Sequence, residues 1–255
     1  MTIFRFDGTF DGILTCVFEA YSRKQFPDLI LREEAPLPLF YDECVDITTD
    51  ETKSRRVWKA IKKKLSAVAA SAVVTSFLCE DPAFDSVIFN YMRKTVDAPR
   101  SIEGDFGDSD VMEMTRMVKR VNYEAHRVLQ FLRFQKAADG TYFAIMEPLY
   151  NVIPIAVKHF VDRFSTMKFV IYDKRRGFGF YYDGKEATRI TLPEELPHIA
   201  HGHLPEEIMS DDEKLFQELW RTYFKAIAIK ERTNPRKQRQ DMPVRFWKYM
   251  TEKNS

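Results

Sequence analysis

Cysteine is scarce in this chain, and its three copies, Cys16, Cys44 and Cys79, stand far apart. That spacing excludes a CxxC zinc module and the close-set thiolates of an iron–sulfur cluster. A sparse, odd count fits a reducing compartment, so a cytoplasmic location is expected. Long apolar runs are missing too. The longest uncharged stretch, Leu65 to Cys79, is broken by serine and threonine and is too short to cross a bilayer. The opening MTIFRFDGTF carries an early acid and no continuous apolar segment, which argues against a signal peptide. Neither charge sign dominates: 39 Lys and Arg face 38 Asp and Glu, for a net charge of +1. A wholesale polyanion-binding composition is thereby excluded, although local basic patches are not. No Walker loop, GxGxxG or Ser/His/Asp ordering stands out. No motif identifies a reaction, implies a cofactor or defines an internal repeat, and whether the chain is an enzyme stays open.

What the 255 residues do have is an ordinary globular composition, 45% hydrophobic and 14% aromatic. It suffices for a full core in one large domain or two small ones. Ile3 to Phe6 alternates as a short strand. The Asp7-Gly8 turn and a cap at Thr9 or Asp11 then open a helix whose face is Ile13, Leu14, Val17, Phe18 and Tyr21. Two further strands are expected near 29–31 and 45–48. The spacing of Trp58, Ile61, Leu65, Val68 and Ala72 predicts one helix over 53–79. Its basic start, Arg55 to Lys64, fits either a solvated face or a phosphate-binding one. The acidic loop 97–110 is the expected division between an N-terminal, mostly helical lobe (1–100) and an α+β core (101–255).

In that core the stripe Val111, Met114, Val118, Val121, Ala125 and Val128 predicts a helix over 109–130. The period then changes to two. A hairpin turning at Asp139-Gly140, a helix over 151–164 and three strands within 168–192 read as a central antiparallel sheet. The order is hairpin, helix, meander, flanked by helices. Ser210-Asp211-Asp212-Glu213 is a capping box opening a helix to about 232, which Asn234-Pro235 stops.

Between Lys225 and Lys248, eight Lys or Arg outweigh two acids. Arg232, Asn234, Arg236, Lys237, Gln238, Arg239 and Arg245, followed by Trp247, combine phosphate-contacting groups with a ring on which an unpaired base can stack. A solvated helix end is the competing reading. The turn Lys174-Arg175-Arg176, beside Gly177 and Gly179, is a second basic site or else a plain charged hairpin turn. His159 and Arg163 share a helix face at i, i+4. With His126, Arg127 and Arg133 they form a candidate pocket for an anionic ligand, histidine acting as general acid or base. His198, His201 and His203 lie within six residues, but no carboxylate shares their pattern and no metal site is assigned.

The stretch HRVLQFLRFQKAADGTYFAIMEPLYNVIPIAVKHFVDRF, followed by FVIYDKRRGFGFYYDG, goes beyond generic pattern. So do the opening FDGTFDGILTCVFEAY and the late LWRTYFKAIAIKERTNPRKQRQDMPVRFWKYMTE. Together they resemble a bacterial family of unknown function whose members are called "probable DNA metabolism protein". The resemblance is best over 1–21 and 126–248 and weak across 25–110. It implies a partner, because members usually occur beside a radical-SAM protein thought to act in DNA modification or repair. Some are joined to a uracil-DNA glycosylase-like domain. This chain is expected to depart from those fusions, and it lacks the cysteine triad of a radical-SAM enzyme, so such chemistry would come from a separate chain. The family has no established catalytic residues to carry over. The matching arginines and histidines, with Asn234 and Gln238, are the better functional candidates, whereas Gly140, Gly179, Pro148 and Pro243 read as structural.

Three readings follow. The first is an accessory protein of DNA metabolism or repair that binds single-stranded or damaged DNA and assists a radical-SAM enzyme. The second is an enzyme acting on a nucleotide or base through His126, Arg133, His159 and Arg163. The third is a protein–protein adaptor whose exposed aromatic residues dock the partner. No membrane association is expected.

Overall fold

The opening strand forms the centre of the first sheet. The computed structural model describes residues 1–193, 196 and 202–253. In it β1 (Thr2–Phe6) pairs in parallel with both β2 (Leu29–Arg32) and β3 (Glu43–Asp46). Ile3, Phe4 and Phe6 are fully buried, as a parallel strand between two neighbours requires. Thr9 caps α1 (Phe10–Arg23), its hydroxyl accepting from the Gly12 N–H at 2.9 Å.

The single helix expected over 53–79 is two, α2 (Glu51–Lys64) and α3 (Ala67–Phe77). Ser66 makes the break by capping the second, accepting from the Ala69 N–H at 3.1 Å. The break turns the apolar stripe: Val68, read as core, is 81% exposed, while Ala69, Ala70 and Val73 are buried. Asp81 caps α4 (Pro82–Asp97), with Pro82 in its first turn. A bidentate Arg32–Asp85 pair, at 2.7 and 3.0 Å, ties β2 to α4.

Asp108 caps α5 (Ser109–Phe131) by accepting from Asp110 N and Val111 N. The chain divides into two units, Met1–Asn122 and Tyr123–Ser255, with the division inside this helix.

The second unit carries a five-stranded sheet in sequential order: β4 (Gln135–Lys136), β5 (Tyr142–Met146), β6 (Phe169–Asp173), β7 (Phe178–Tyr182) and β8 (Ala187–Ile190). The antiparallel sheet read from the sequence is corrected here, because the sheet is mixed. β5 and β6 are parallel, with Phe143 beside Val170 and Ile145 beside Tyr172. The cause is α6 (Ile153–Arg163), which carries the chain back to the starting edge before β6 begins. The other neighbours pair antiparallel.

Alternation along β5 and β6 then gives the sheet two distinct faces. On one, Phe160 of α6 and Phe164 just past its end pack on Phe134, which also meets Phe169. On the other, Phe143, Ile145 and Tyr172 are covered by Leu204 and Tyr249. Segment 208–210 runs beside β4, through an Ala137–Met209 bridge and a Ser210 N–H to Lys136 carbonyl bond of 3.0 Å. From it starts α7 (Asp211–Ala226). The capping box is not made: Ser210 gives the helix no side-chain cap, and Glu213 instead accepts from the Lys136 N–H at 3.0 Å. A short turn (Lys230–Arg232), α8 (Pro235–Asp241) and a last turn (Val244–Tyr249) complete the unit. Among the described residues, no helix is long and apolar enough to cross a membrane.

Candidate nucleic-acid interface

The carboxyl ends of the parallel pair β5 and β6 are where open α/β sheets gather ligands. Here β5 runs into Glu147-Pro148-Leu149, and β6 ends on Asp173 and the basic turn. Arg176 closes the gap between them. It donates to the buried Asp173 carboxylate at 2.8 Å, to the Pro148 carbonyl at 3.1 Å and to the Leu149 carbonyl at 3.1 Å. Arg175 reaches the same Leu149 carbonyl at 3.3 Å. The Leu149 N–H donates to Glu124 at 2.8 Å, and the other oxygen of Glu124 takes Arg245 at 2.5 Å. Arg127 lies 3.9 Å from that carboxylate, stacked over Tyr123. Four arginines from three segments thus converge on Leu149 and Glu124.

The acids here are shifted in opposite directions. Burial pushes the Asp173 carboxyl up despite Arg176. Burial also acts to raise Glu147, but the Lys248 ammonium 2.6 Å away outweighs it and holds that carboxyl below its ordinary range. Burial, reinforced by Glu147, pushes the Tyr249 phenol up. The arginine cluster is therefore largely committed to protein acceptors. Arg176 and Arg245, read from the sequence as strand contacts, are brought together, and both serve as clamps.

The rest of the basic segment faces outward. Arg232, Arg236, Lys237 and Arg239 are exposed. Neither Arg232 nor Arg236 forms an ion pair among the described residues, whereas Lys237 meets Asp241 at 2.9 Å across the helix surface. Arg239 leans back to the Pro235 carbonyl at 3.3 Å. Asn234 is the cap of α8, accepting from the Lys237 N–H at 3.0 Å, and Gln238 is half-buried. Trp247 donates to the Met242 carbonyl at 3.0 Å, with the Lys253 ammonium 4.7 Å from its ring centre, so one ring face is already occupied.

The exposed aromatic surface lies elsewhere, on α7, where Phe216, Trp220 and Tyr223 are 60%, 40% and 53% exposed, with Trp220 also held by Arg133 and Glu252. The sequence placed them on a helix but did not single them out. Their periodicity is the same for a buried stripe and an exposed one, and only their nearness in the chain to the basic run pointed to a surface role.

A family model of a domain of unknown function, DUF4130, matches residues 82–252, two-thirds of the chain. The chain belongs to the DUF4130 family. No curated protein and no solved structure matches it. The DUF4130 segment begins with α4 and takes in the arginine cluster, α7 and α8, while the parallel sheet and α1 to α3 precede it.

Within the DUF4130 segment the four acid–base candidates lie apart in role. His126 is exposed and bonds Gln130 at 3.0 Å. His159 is exposed with its ring edge on Phe160, and exposed Arg163 lies beside Phe164. Arg133 alone lines one of the larger clefts, of about 560 Å³. There Glu252, whose side chain is 1% exposed, neutralises it at 2.7 Å, and Trp220 lies alongside. None of these larger clefts brings the two histidines together. Of the loop histidines, His203 lines another of these clefts; His198 and His201 lie outside the described residues. Among the described residues, no three His, Cys, Asp or Glu side chains gather as a metal would require.

Proposed function

We propose that this DUF4130 chain binds single-stranded or damaged DNA through α7, α8 and the turn between them, as an accessory to a separate radical-SAM repair enzyme. The observation that carries the reading is the exposed row Phe216, Trp220 and Tyr223, followed within twenty residues by Arg232 and Arg236, cations without an ion pair among the described residues. Rings accept unpaired bases by stacking, and guanidinium groups accept phosphates, whatever the sequence of the strand. The partner rests on the family resemblance of the sequence.

Fluorescence anisotropy of the full chain with single-stranded and duplex oligonucleotides, across a salt series, tests it. Binding should favour the single strand, fall steeply with salt, and weaken on Arg236→Glu and Arg239→Glu. Absence of binding at low salt removes direct DNA contact.

One observation supports a second reading. The same helix exposes Leu215 and Leu219, and Ile227 and Ile229 beyond it are exposed as well. Aliphatic side chains do little for a strand but suit a protein partner. An adaptor would elute with the radical-SAM protein as a stable complex that dissociates when Leu215 and Leu219 become Ser.

A further inference from the structure

A cleft of about 730 Å³ is lined by α7 and by residues 202–206 and 209, and it shares Gln217 and Thr251 with the cleft that Arg133 lines. That volume is within the range of small-molecule sites. Its walls are chemically divided. Leu204, Met209 and the ring of Tyr249 supply an apolar floor. Gln217 and Glu218 of α7 bring an amide and a carboxylate, the groups that read the amino and carbonyl edges of a base.

The cations lining it differ in one respect. Lys214 is paired with Glu206 at 2.9 Å and Lys248 with Glu147 at 2.6 Å. Arg221 has no carboxylate partner among the described residues. Among the described residues its hydrogen bond is a long 3.3 Å contact to Gln217, and its buried Nε finds no acceptor. A half-buried guanidinium without a counter-charge is an unmet electrostatic demand, which an anion on its outer nitrogens would satisfy.

We propose that this cleft binds one nucleotide unit, with its base over the apolar floor and its phosphate on Arg221. The unit is either a free deoxynucleoside monophosphate or one turned out of a strand lying on α7; only the second source rests on the DNA-binding reading. Lys214, Gln217 and Arg221 recur at i, i+3 and i+7, so they share a helix side next to the one carrying Phe216, Trp220 and Tyr223. A strand stacked on those rings would pass the mouth of the cleft.

Calorimetric titration of the full chain, at fixed ionic strength, with each of the four deoxynucleoside monophosphates and with inorganic phosphate tests the proposal. At least one nucleotide should bind tenfold or more tightly than phosphate, and Arg221→Gln should weaken it about tenfold or more. Arg221→Lys, which keeps the charge but not the fork, should fall between, and circular dichroism of both variants checks that the helix is intact. The proposal is overturned if every nucleotide binds no better than phosphate, or if an intact Arg221→Gln variant binds as the parent does. If oligonucleotide affinity falls with Arg221→Gln as well, the ligand is a strand unit; if it holds while nucleotide affinity falls, the ligand is the free nucleotide. If Arg236→Glu leaves strand binding unchanged while Arg221→Gln abolishes nucleotide binding, the surface reading fails and the cleft stands.

Discussion

Glu252 takes a hydrogen bond from Arg133 at 2.7 Å and one from the indole of Trp220 at 3.0 Å. Burial raises its carboxyl, but these donors outweigh the burial and bring it below its ordinary value of 4.5. A depressed folded value means that the stabilisation is present above 4.5 and is lost as pH falls through the folded value. Glu252→Gln should therefore flatten the acid side of a urea-stability profile. At neutral pH it should cost about 2–3 kcal/mol, less than a fully buried pair because Arg133 keeps some water.

Asp173 runs the other way. Its carboxyl is raised by burial, so its ionised form is tolerated only through Arg176. Arg176→Ala should then cost about 3–5 kcal/mol in the same measurement, with Arg176→Lys failing to restore it, because one ammonium cannot serve the acceptors at Asp173, Pro148 and Leu149. At this scale the sequence marked Arg133 and Arg176 as chemically significant, yet it had no means of pairing Arg133 with an acid 119 positions away. Gly179 shows the same blindness. Its φ is not left-handed; a Cβ there would stand 2.4 Å from the Ile171 carbonyl, a clash that only the strand partner reveals.

At the scale of elements, Asn234 separates structure from contact. It was singled out beside the basic run, and in the structure its carboxamide oxygen caps α8. Asn234→Ala should loosen that seven-residue helix by about 1 kcal/mol, while Asn234→Asp should keep the cap. If strand binding falls with Ala but only slightly with Asp, the residue acts by holding α8. If both fall alike, the carboxamide itself touches the strand. Anisotropy on the two variants, with amide exchange across 235–241, decides between them.

Period and caps also made several elements legible: β1, α1 and α5 lie where alternation, Thr9 and the stripe from Val111 to Val128 put them. Two features were hidden for reasons of geometry. A serine inside an apolar run reads as neutral until it caps, as Ser66 does, and strand direction across a helical connection is invisible to a period-two pattern, so the parallel pairing of β5 with β6 came as a correction.

For the molecule as a whole, a net charge of +1 spread over 255 residues leaves no general attraction for a polyanion, so any strand affinity must be local. Two exposed basic faces compete for that role. One lies in the second unit, with Arg232, Arg236 and Arg239 free of ion pairs among the described residues. The other is α2, where Lys59 and Lys63 are exposed without acid partners among the described residues, while Lys53 and Arg55 are already paired with Glu19 and Glu51. A single strand loses about 0.7 in the slope of log affinity against log salt for each phosphate neutralised. Three cations on α8 and its preceding turn predict a slope of about −2, and reversing Arg232, Arg236 and Arg239 together should bring it close to zero. Lys59→Glu with Lys63→Glu should leave the slope where it was, because α2 lacks the exposed aromatic row that α7 provides. A slope that responds to the α2 pair and not to the arginines would move the strand to the first unit, ahead of the DUF4130 segment, and leave the apolar face of α7 to a protein partner.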